Sequence, residues 1–176
     1  MDDQAERFRE LFEPARDSIY RICCCYLRDP EDRHDAFQEV ALRLYQHAAS
    51  FRGQSSPRTW VYRITVNTCL DFLRAERRRA RVIERRAAAD PPDVGDAGAA
   101  SERVRRALDV ERLYEAIAAL PGVDRVLLSL YLEDASAKEM AEVTGMSEGN
   151  VRVRLHRSRE ALKLRLERTG AGHGTR

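Results

Sequence analysis

The run AAADPPDVGDAGAAS, Ala87 to Ser101, constrains this chain more than any other feature, because nothing in it can hold a core together. It contains no aromatic residue and one large aliphatic side chain, Val94. A segment of that composition buries too little apolar surface to offset the entropy of ordering it, which predicts a flexible linker over 87–102. An N-terminal lobe, 1–86, and a C-terminal lobe, 103–168, are left on either side, with a disordered tail expected over 169–176. Both lobes fall in the ~50 to 250 residue range of independent domains. Glycine is scarce outside the linker, strand-type alternation is missing, and Ala, Leu, Arg and Glu recur at helical spacing. The fold class is therefore all-α: two small helical domains joined by a flexible linker.

In the first lobe, a helix over about Gln4 to Glu13 is expected to break at Pro14, and a second carries Ile19, Ile22, Cys23, Tyr26 and Leu27 on one face. Asp29 caps a third, with Pro30 at its first position and Phe37, Val40, Ala41, Leu44 and Ala48 recurring up to about Ser50. Ser56 followed by Pro57 starts a fourth, which runs past Arg74. On that helix Trp60, Val61, Ile64, Thr68 and Phe72 share one sector, and Tyr62, Val66, Cys69, Leu70 and Leu73 share another. Burial of such side chains at ~1.5 to 3 kcal/mol each suffices to close the four helices into one core. A narrow polar stripe remains, made of Arg63, Asn67, Asp71 and Arg74. Just upstream, Phe51, Arg52, Gly53, Ser55 and Ser56 bring together an aromatic ring, a cation, a pliable backbone and small hydroxyls, the chemistry that grips an unstacked base. On the third helix Asp35, Gln38, Glu39 and Gln46 form an outward polar ridge.

In the second lobe, Val104, Leu108, Leu113, Ile117 and Leu120 mark a helix closing at Pro121-Gly122, and Val126, Leu127, Leu130 and Tyr131 mark the next. Ser136 and Glu139 form a capping box for a short helix, and Ser147 caps another. Ala141, Gly145 and Val151 have the spacing of a helix-turn-helix, in which a small residue allows close approach, glycine the left-handed turn, and valine the packing of the second helix. That second helix buries Val151, Leu155, Ser158, Leu162 and Leu166. Its opposite face presents Arg152, Val153, His156, Arg157 and Glu160, flanked by Arg154 and Arg159, as a helix that reads base edges would.

The net charge of +2 is too small to announce a nucleic-acid binder, although arginine is concentrated in 74–86 and 151–168. Lys138 and Lys163 are the only lysines. Cys23, Cys24 and Cys25 are consecutive on a helix, so they point about 100° apart and cannot converge on one metal; with Cys69 they are expected as free thiols, Cys23 as core filler. The N-terminal segment has no apolar signal-peptide core, and there is no ~18-residue apolar run to cross a membrane, so a soluble cytoplasmic protein without membrane insertion is expected. His34-Asp35 invites a metal phosphohydrolase reading, but no second ligand pair accompanies it among His47, His156 and His173. No catalytic residue and no cofactor are expected.

The segment FRG, then TWVYRI, VN and LDFLR resembles region 2 of an extracytoplasmic-function (group IV) sigma factor of bacterial RNA polymerase, and GNVRVRLHRSREALK resembles sigma region 4, at the expected distance downstream. The resemblance implies an alternative sigma factor that joins core polymerase and directs promoter recognition and melting. It implies minus-ten contacts at Phe51, Arg52, Gly53, Ser55, Ser56, Arg63, Asn67 and Arg74. Minus-thirty-five contacts are implied at Ser147, Asn150, Arg152, Val153, Arg154, His156, Arg157 and Arg159. Asp35, Gln38 and Glu39 take the place of the region 2 face that docks on the β′ clamp helices, and region 4 implies a contact with the β flap. Promoter DNA, duplex and melted, and an anti-sigma factor complete the implied partners, while the linker aspartates Asp90, Asp93 and Asp96 are implied to lie near the RNA path. The family's usual Ala-Glu before the docking aspartate is here Arg33-His34, and Thr144, Asn150 and Val153 depart from leucine, threonine and a polar residue. The competing reading is a stand-alone helix-turn-helix regulator that never joins polymerase; it leaves the stripe from Phe51 to Arg74 without a purpose.

Overall fold

Residues 3–84 and 102–171 are described by the structure, a computed structural model, and among them every regular element is helical. Helix α1 (Asp3–Phe12) ends just before a 3-10 turn over Glu13–Ala15 that contains Pro14, and α2 (Arg16–Tyr26) follows directly. Asp29 is extended, and its carboxylate accepts a hydrogen bond from the Glu31 amide at 2.8 Å. With Pro30 at the first position this starts α3 (Pro30–His47), which tightens into a 3-10 turn over Ala48–Ser50. Helix α4 (Pro57–Glu84) opens where the Ser56 hydroxyl accepts from the Thr59 amide at 3.0 Å. Deeper in α4, Thr65 and Thr68 are fully buried. Their hydroxyls donate to the carbonyls of Val61 and Ile64, both at 2.9 Å, so neither is left unsatisfied in the core.

The second lobe consists of α5 (Glu102–Ala118), α6 (Gly122–Leu132), α7 (Ala137–Thr144) and α8 (Glu148–Ala171). Both halves of the expected capping box form: the Ser136 hydroxyl accepts from the Glu139 amide at 3.2 Å, and the Glu139 carboxylate accepts from the Ser136 amide at 2.7 Å. Gly145 closes α7 in the left-handed region, at φ 72°, which is why this turn takes glycine. Buried Arg125 donates to the carbonyls of Ala118 and Leu120, satisfying acceptors that the end of α5 would otherwise orphan. The linker expected over 87–102 lies outside the described residues except for Glu102, which already belongs to α5. Helix α8 reaches Ala171, so residues 169–171 of the expected tail are helical, and the rest of that tail lies outside the described residues.

The lobes are not two isolated bodies with a core each. Helix α2 packs on α3 and α4 on one side and on α5 and α6 on the other. Every residue from Ile22 to Leu27 is buried, where the sequence predicted a single apolar face. A helix apolar all round is one that is enclosed, and Cys24 and Cys25 occupy its second face. Ile22, Tyr26, Val61 and Cys69 of the first lobe share one apolar cluster with Ile117, Leu127, Leu130 and Met140 of the second. Four arginines fasten the rim of this contact. Arg33 reaches Glu111 at 2.6 and 3.3 Å, Arg21 holds both Glu133 carboxylate oxygens at 2.7 Å, Arg58 donates to the Glu133 carbonyl, and Arg63 donates to the Glu142 carbonyl at 2.9 Å.

All four cysteines are free and buried, with the sulfurs of Cys23 and Cys69 3.8 Å apart, in keeping with Cys23 as core filler. Burial pushes the Cys24 thiol up to about 11, and it raises the thiols of Cys25 and Cys69 as well, the latter after the hydrogen bond with Cys23. Since the thiolate is the reactive form, an aromatic disulfide reagent at pH 8 is expected to titrate no thiol in the folded chain and all four once it is unfolded. Immediate release of a full equivalent from the folded chain would contradict this packing. The shared core makes a second prediction. Leu127 is fully buried, so Leu127→Ala should cost ~2 to 5 kcal/mol of stability, read as a lowered urea midpoint in one cooperative transition. A two-step melt of the wild-type chain would show instead that the lobes are energetically independent.

Candidate nucleic-acid and polymerase interface

The connection between α3 and α4 is short, and Gly53 turns it at φ 70°, a conformation that a β-carbon would strain. The Phe51 ring leans on Trp60 with centroids 5.3 Å apart and planes at 47°, so both aromatics are half-buried. Beside them lies a hollow of about 310 Å³, lined by Phe51, Arg52, Ser55, Trp60 and Arg63 of the first lobe and by Glu142 of the second. Its volume and its mixture of ring, cation and hydroxyl suit a planar polar ligand of modest size. Arg52, which lines it, and Gly53, next in sequence, are both exposed. The Ser56 hydroxyl, in contrast, is committed to the start of α4: besides the Thr59 amide it meets the Thr59 hydroxyl at 2.8 Å.

Along the polar stripe of α4 the structure sorts the residues by what holds them. Arg63 is half-buried and engaged with Glu142, Asn67 is exposed, and Asp71 accepts from Arg43 of α3 at 3.0 Å and from Arg74 at 2.9 Å. Arg43 and Arg74 thus sit beside exposed Asn67 in partly solvated ion pairs. Pairs of that kind are worth ~0 to 1 kcal/mol, so a phosphate can take over the guanidinium groups at little cost.

On α3, Asp35 and Gln38 are exposed, with the Gln38 amide 2.7 Å from the His34 ring, and Glu39 accepts from Arg43 at 2.7 Å. The ridge also contains a residue that the sequence reading passed over. Leu42 is 50% exposed, one turn beyond Gln38 and one turn before Gln46. Its signal was its phase, since it falls outside the apolar set Val40, Ala41 and Leu44. It adds an apolar side chain to the otherwise polar ridge. Arg33 does not belong to this ridge. It points the other way, is 7% exposed, and donates to the Leu27 carbonyl at 2.8 Å as well as to Glu111.

Helix α8 buries Val151 and Ser158 and half-buries Leu155, Leu162 and Leu166, as its periodicity required. Arg152, Val153, His156, Arg157 and Glu160 are all exposed on the opposite face. Ser147 caps the helix by accepting from the Asn150 amide at 3.3 Å, which places Asn150 and Arg152 on the exposed first turns; Arg152 meets Glu148 at 3.0 Å. The two flanking arginines differ from expectation in their surroundings. Arg154 is tied to Asp124 of α6 at 2.9 Å, and the Ser158 hydroxyl donates to the same carboxylate at 2.8 Å. Arg159 lies over the Tyr131 ring, 4.9 Å from its centroid. Both tie α8 to α6, and their positive charge still contributes to the field on the exposed face.

Among the described residues no group of three or more His, Cys, Asp or Glu is placed to hold a metal ion, and no helix is long and apolar enough to cross a membrane. The geometry offers an exposed basic helix as the second member of a helix-turn-helix, a small polar hollow, and a polar ridge that includes exposed Leu42.

Comparison with known proteins places the chain in a family. The family model "Sigma-70 region 2" matches residues 11–79, and "Sigma-70, region 4" matches residues 110–162. The ECF RNA polymerase sigma factor SigM of Mycobacterium tuberculosis is 31% identical over 156 residues, covering 88% of this chain and 74% of that protein. The ECF RNA polymerase sigma factor SigW of Bacillus subtilis is 27% identical over 167 residues, covering 92% and 89%. In fold, the chain is similar to CnrH, solved with the cytosolic domain of CnrY, at a TM-score of 0.66 and 18% identity over 93% of this chain and 94% of that one. It is likewise similar to the sigma factor RpoE of Bartonella quintana, solved with the anti-sigma factor NepR, at 0.65 and 18% over 90% and 98%. With both regions matched in order across most of its length, the chain belongs to the ECF sigma factors of bacterial RNA polymerase.

Proposed function

We propose that this chain, as an alternative sigma factor, joins core RNA polymerase through the α3 ridge and directs it to promoters through two separate DNA-reading surfaces. The ordered match of regions 2 and 4 carries this reading. The ridge of Asp35, Gln38 and Glu39, extended by Leu42, takes the β′ clamp helices, and the second lobe takes the β flap. The hollow beside Phe51, Arg52, Gly53 and Ser55 captures an unstacked base of the minus-ten element. Unstacking costs a few kcal/mol, which ring stacking and hydrogen bonds in the hollow offset. Asn67 reads a neighbouring base while Arg63 and Arg74 hold backbone. In the second lobe Arg152, Val153, His156 and Arg157 face the major groove of the minus-thirty-five element, and Ser147, Asn150, Arg154 and Arg159 position the helix on phosphates. The chain works in the cytoplasm, performs no chemistry of its own, and is restrained by an anti-sigma protein, as CnrH and RpoE are found bound to CnrY and NepR. A stand-alone helix-turn-helix regulator would leave the region 2 match over residues 11–79 without a role.

Three sets of variants test the division of labour. Asp35→Ala with Glu39→Ala is expected to abolish co-elution with core polymerase, and wild-type co-elution would remove the ridge from the polymerase contact. Asn67→Ala should assemble normally but open promoters poorly, read by permanganate reactivity of unpaired thymines; normal opening would strip Asn67 of its assigned role. Arg152→Ala and Arg157→Ala should each weaken upstream protection in footprints of the holoenzyme by ~1 to 3 kcal/mol, the worth of a good bidentate arginine to a base edge. Unaltered upstream protection in both variants would show that α8 is not the reading helix.

A further inference from the structure

The valine at position 153, where the sigma resemblance has a polar residue, gives the outer face of α8 a chemistry of its own. The helix rests on Val151 and Ser158, which are buried, and on Leu155 and Leu162, which are half-buried. At about 100° per residue, Val153 stands opposite the middle of that buried face. It is 54% exposed. Exposed Gly149 lies one turn before it, and exposed His156 and Arg157 lie one turn after it. We propose that Val153 determines specificity in the upstream element by packing its methyl groups on the methyl group of one thymine, in a close approach that Gly149 permits. This deepens the reading of α8 given under the proposed function and rests on it.

The chemistry of base edges supplies the first argument. In the major groove thymine alone carries a methyl group, while the edges of guanine, adenine and cytosine end in hydrogen-bonding oxygen and nitrogen atoms. Valine has neither donor nor acceptor on its side chain. Against a polar edge it strips water from an atom and returns no hydrogen bond, which costs affinity. Against thymine it takes a methyl group out of water, which is worth about fourfold in an equilibrium constant. The same residue therefore rewards one base and penalises the others. Its immediate neighbour Arg152, whose side chain is 68% exposed and paired with Glu148 at 3.0 Å, can leave that partner for a base edge or a phosphate and so fix which base pair Val153 meets.

Gly149 is a second and independent observation. It is helical, and a β-carbon there would meet no atom within 4 Å. Neither the turn of the chain nor its internal packing calls for glycine at this place, although glycine inside a helix costs stability relative to alanine. Its effect is external: it leaves bare backbone beside Val153, and a methyl group at 149 would stand between the helix and a base edge. The surroundings also favour DNA over a protein partner. The positions one turn from Val153 are Gly149, Asn150, His156 and Arg157, so no apolar patch of the size that protein contacts use surrounds it.

The test uses holoenzyme assembled from core polymerase and the full-length chain. Upstream elements are selected by this holoenzyme from promoter fragments randomised over that element, and each thymine of the selected element, on either strand, is replaced in turn by deoxyuridine, which lacks only the methyl group. For the wild type, one such replacement should lower affinity about fourfold. Val153→Ser should bind the thymine and deoxyuridine fragments equally, whereas Val153→Thr, which keeps one methyl group, should retain part of the preference. Each preference is a ratio within one protein, so an overall loss of affinity cancels. Gly149→Ala should weaken binding to the upstream element by about fivefold or more, the least that forcing a methyl group into a packed contact costs, with a thermal midpoint at or above that of the wild type. A selected element without thymine, a wild type indifferent to every deoxyuridine, or a preference that survives Val153→Ser overturns the assignment of Val153. Wild-type affinity in Gly149→Ala overturns the close approach. Failure of Val153→Ser to assemble with core polymerase would make Val153 a protein contact, which also overturns the assignment. A wild-type holoenzyme that selects no upstream sequence would fault the reading of α8 itself, a result visible before any substitution is compared.

Discussion

Enclosure of α2 on both faces is the packing fact on which the remaining geometry rests. From Ile22 to Leu27 every residue is buried, and both lobes press on this one stretch. Its first face seats α3 and α4, and so sets the spacing between the ridge around Asp35 and the loop around Phe51. Its second face seats α5 and α6. Because one helix serves both lobes, a disturbance in Cys24 or Cys25 is felt by both. The charges around it are handled as low-dielectric surroundings demand: Arg33 and Arg125 are each 7% exposed and lean on backbone carbonyls, Leu27 for the first and Ala118 and Leu120 for the second. A buried guanidinium without such acceptors would cost several kcal/mol.

The functional surfaces follow a different rule. Their charged side chains are held loosely, in pairs that water already screens. Arg43, Arg74 and Arg152 each have a carboxylate neighbour, none deeply buried, and each can exchange it for a phosphate without a large loss. Arg154 illustrates the contrast, since Asp124 is largely shielded and also takes the Ser158 hydroxyl. Its guanidinium is part of how α8 is fixed on α6.

Helix starts and stops were legible in the sequence because each depends on residues a few positions apart. Asp29-Pro30, Ser56-Pro57, the Ser136 and Glu139 box and Gly145 all do in the structure what their chemistry dictates. The buried face of α8 and the exposed set Arg152, Val153, His156 and Arg157 were equally open to reading, since a single period settles them. What escaped was the seam. Arg33 and Glu111 are 78 positions apart and Arg21 and Glu133 are 112 apart, and no local pattern links them. A trace existed all the same: the unbroken apolar run ICCCYL is too apolar for a helix with one wet side, and reading it as a single-faced helix hid the second lobe's docking site. Leu42 escaped for the opposite reason, as one apolar residue in a polar face is common enough to pass without comment.

The position of α2 has a consequence for how the chain is made. Ribosomes deliver the N-terminal end first, at about 5 to 20 residues per second. The first lobe can gather its four helices as soon as α4 has emerged, but the Cys24 and Cys25 side of α2 has nothing to rest on until α5 and α6 follow, roughly a hundred residues after α2 itself. For about 5 to 20 seconds of synthesis the nascent chain therefore carries a bare thiol-bearing apolar strip. The burial that makes these thiols unreactive in the finished protein is absent during that interval, so oxidative damage to Cys24 and Cys25 is a hazard of birth rather than of age.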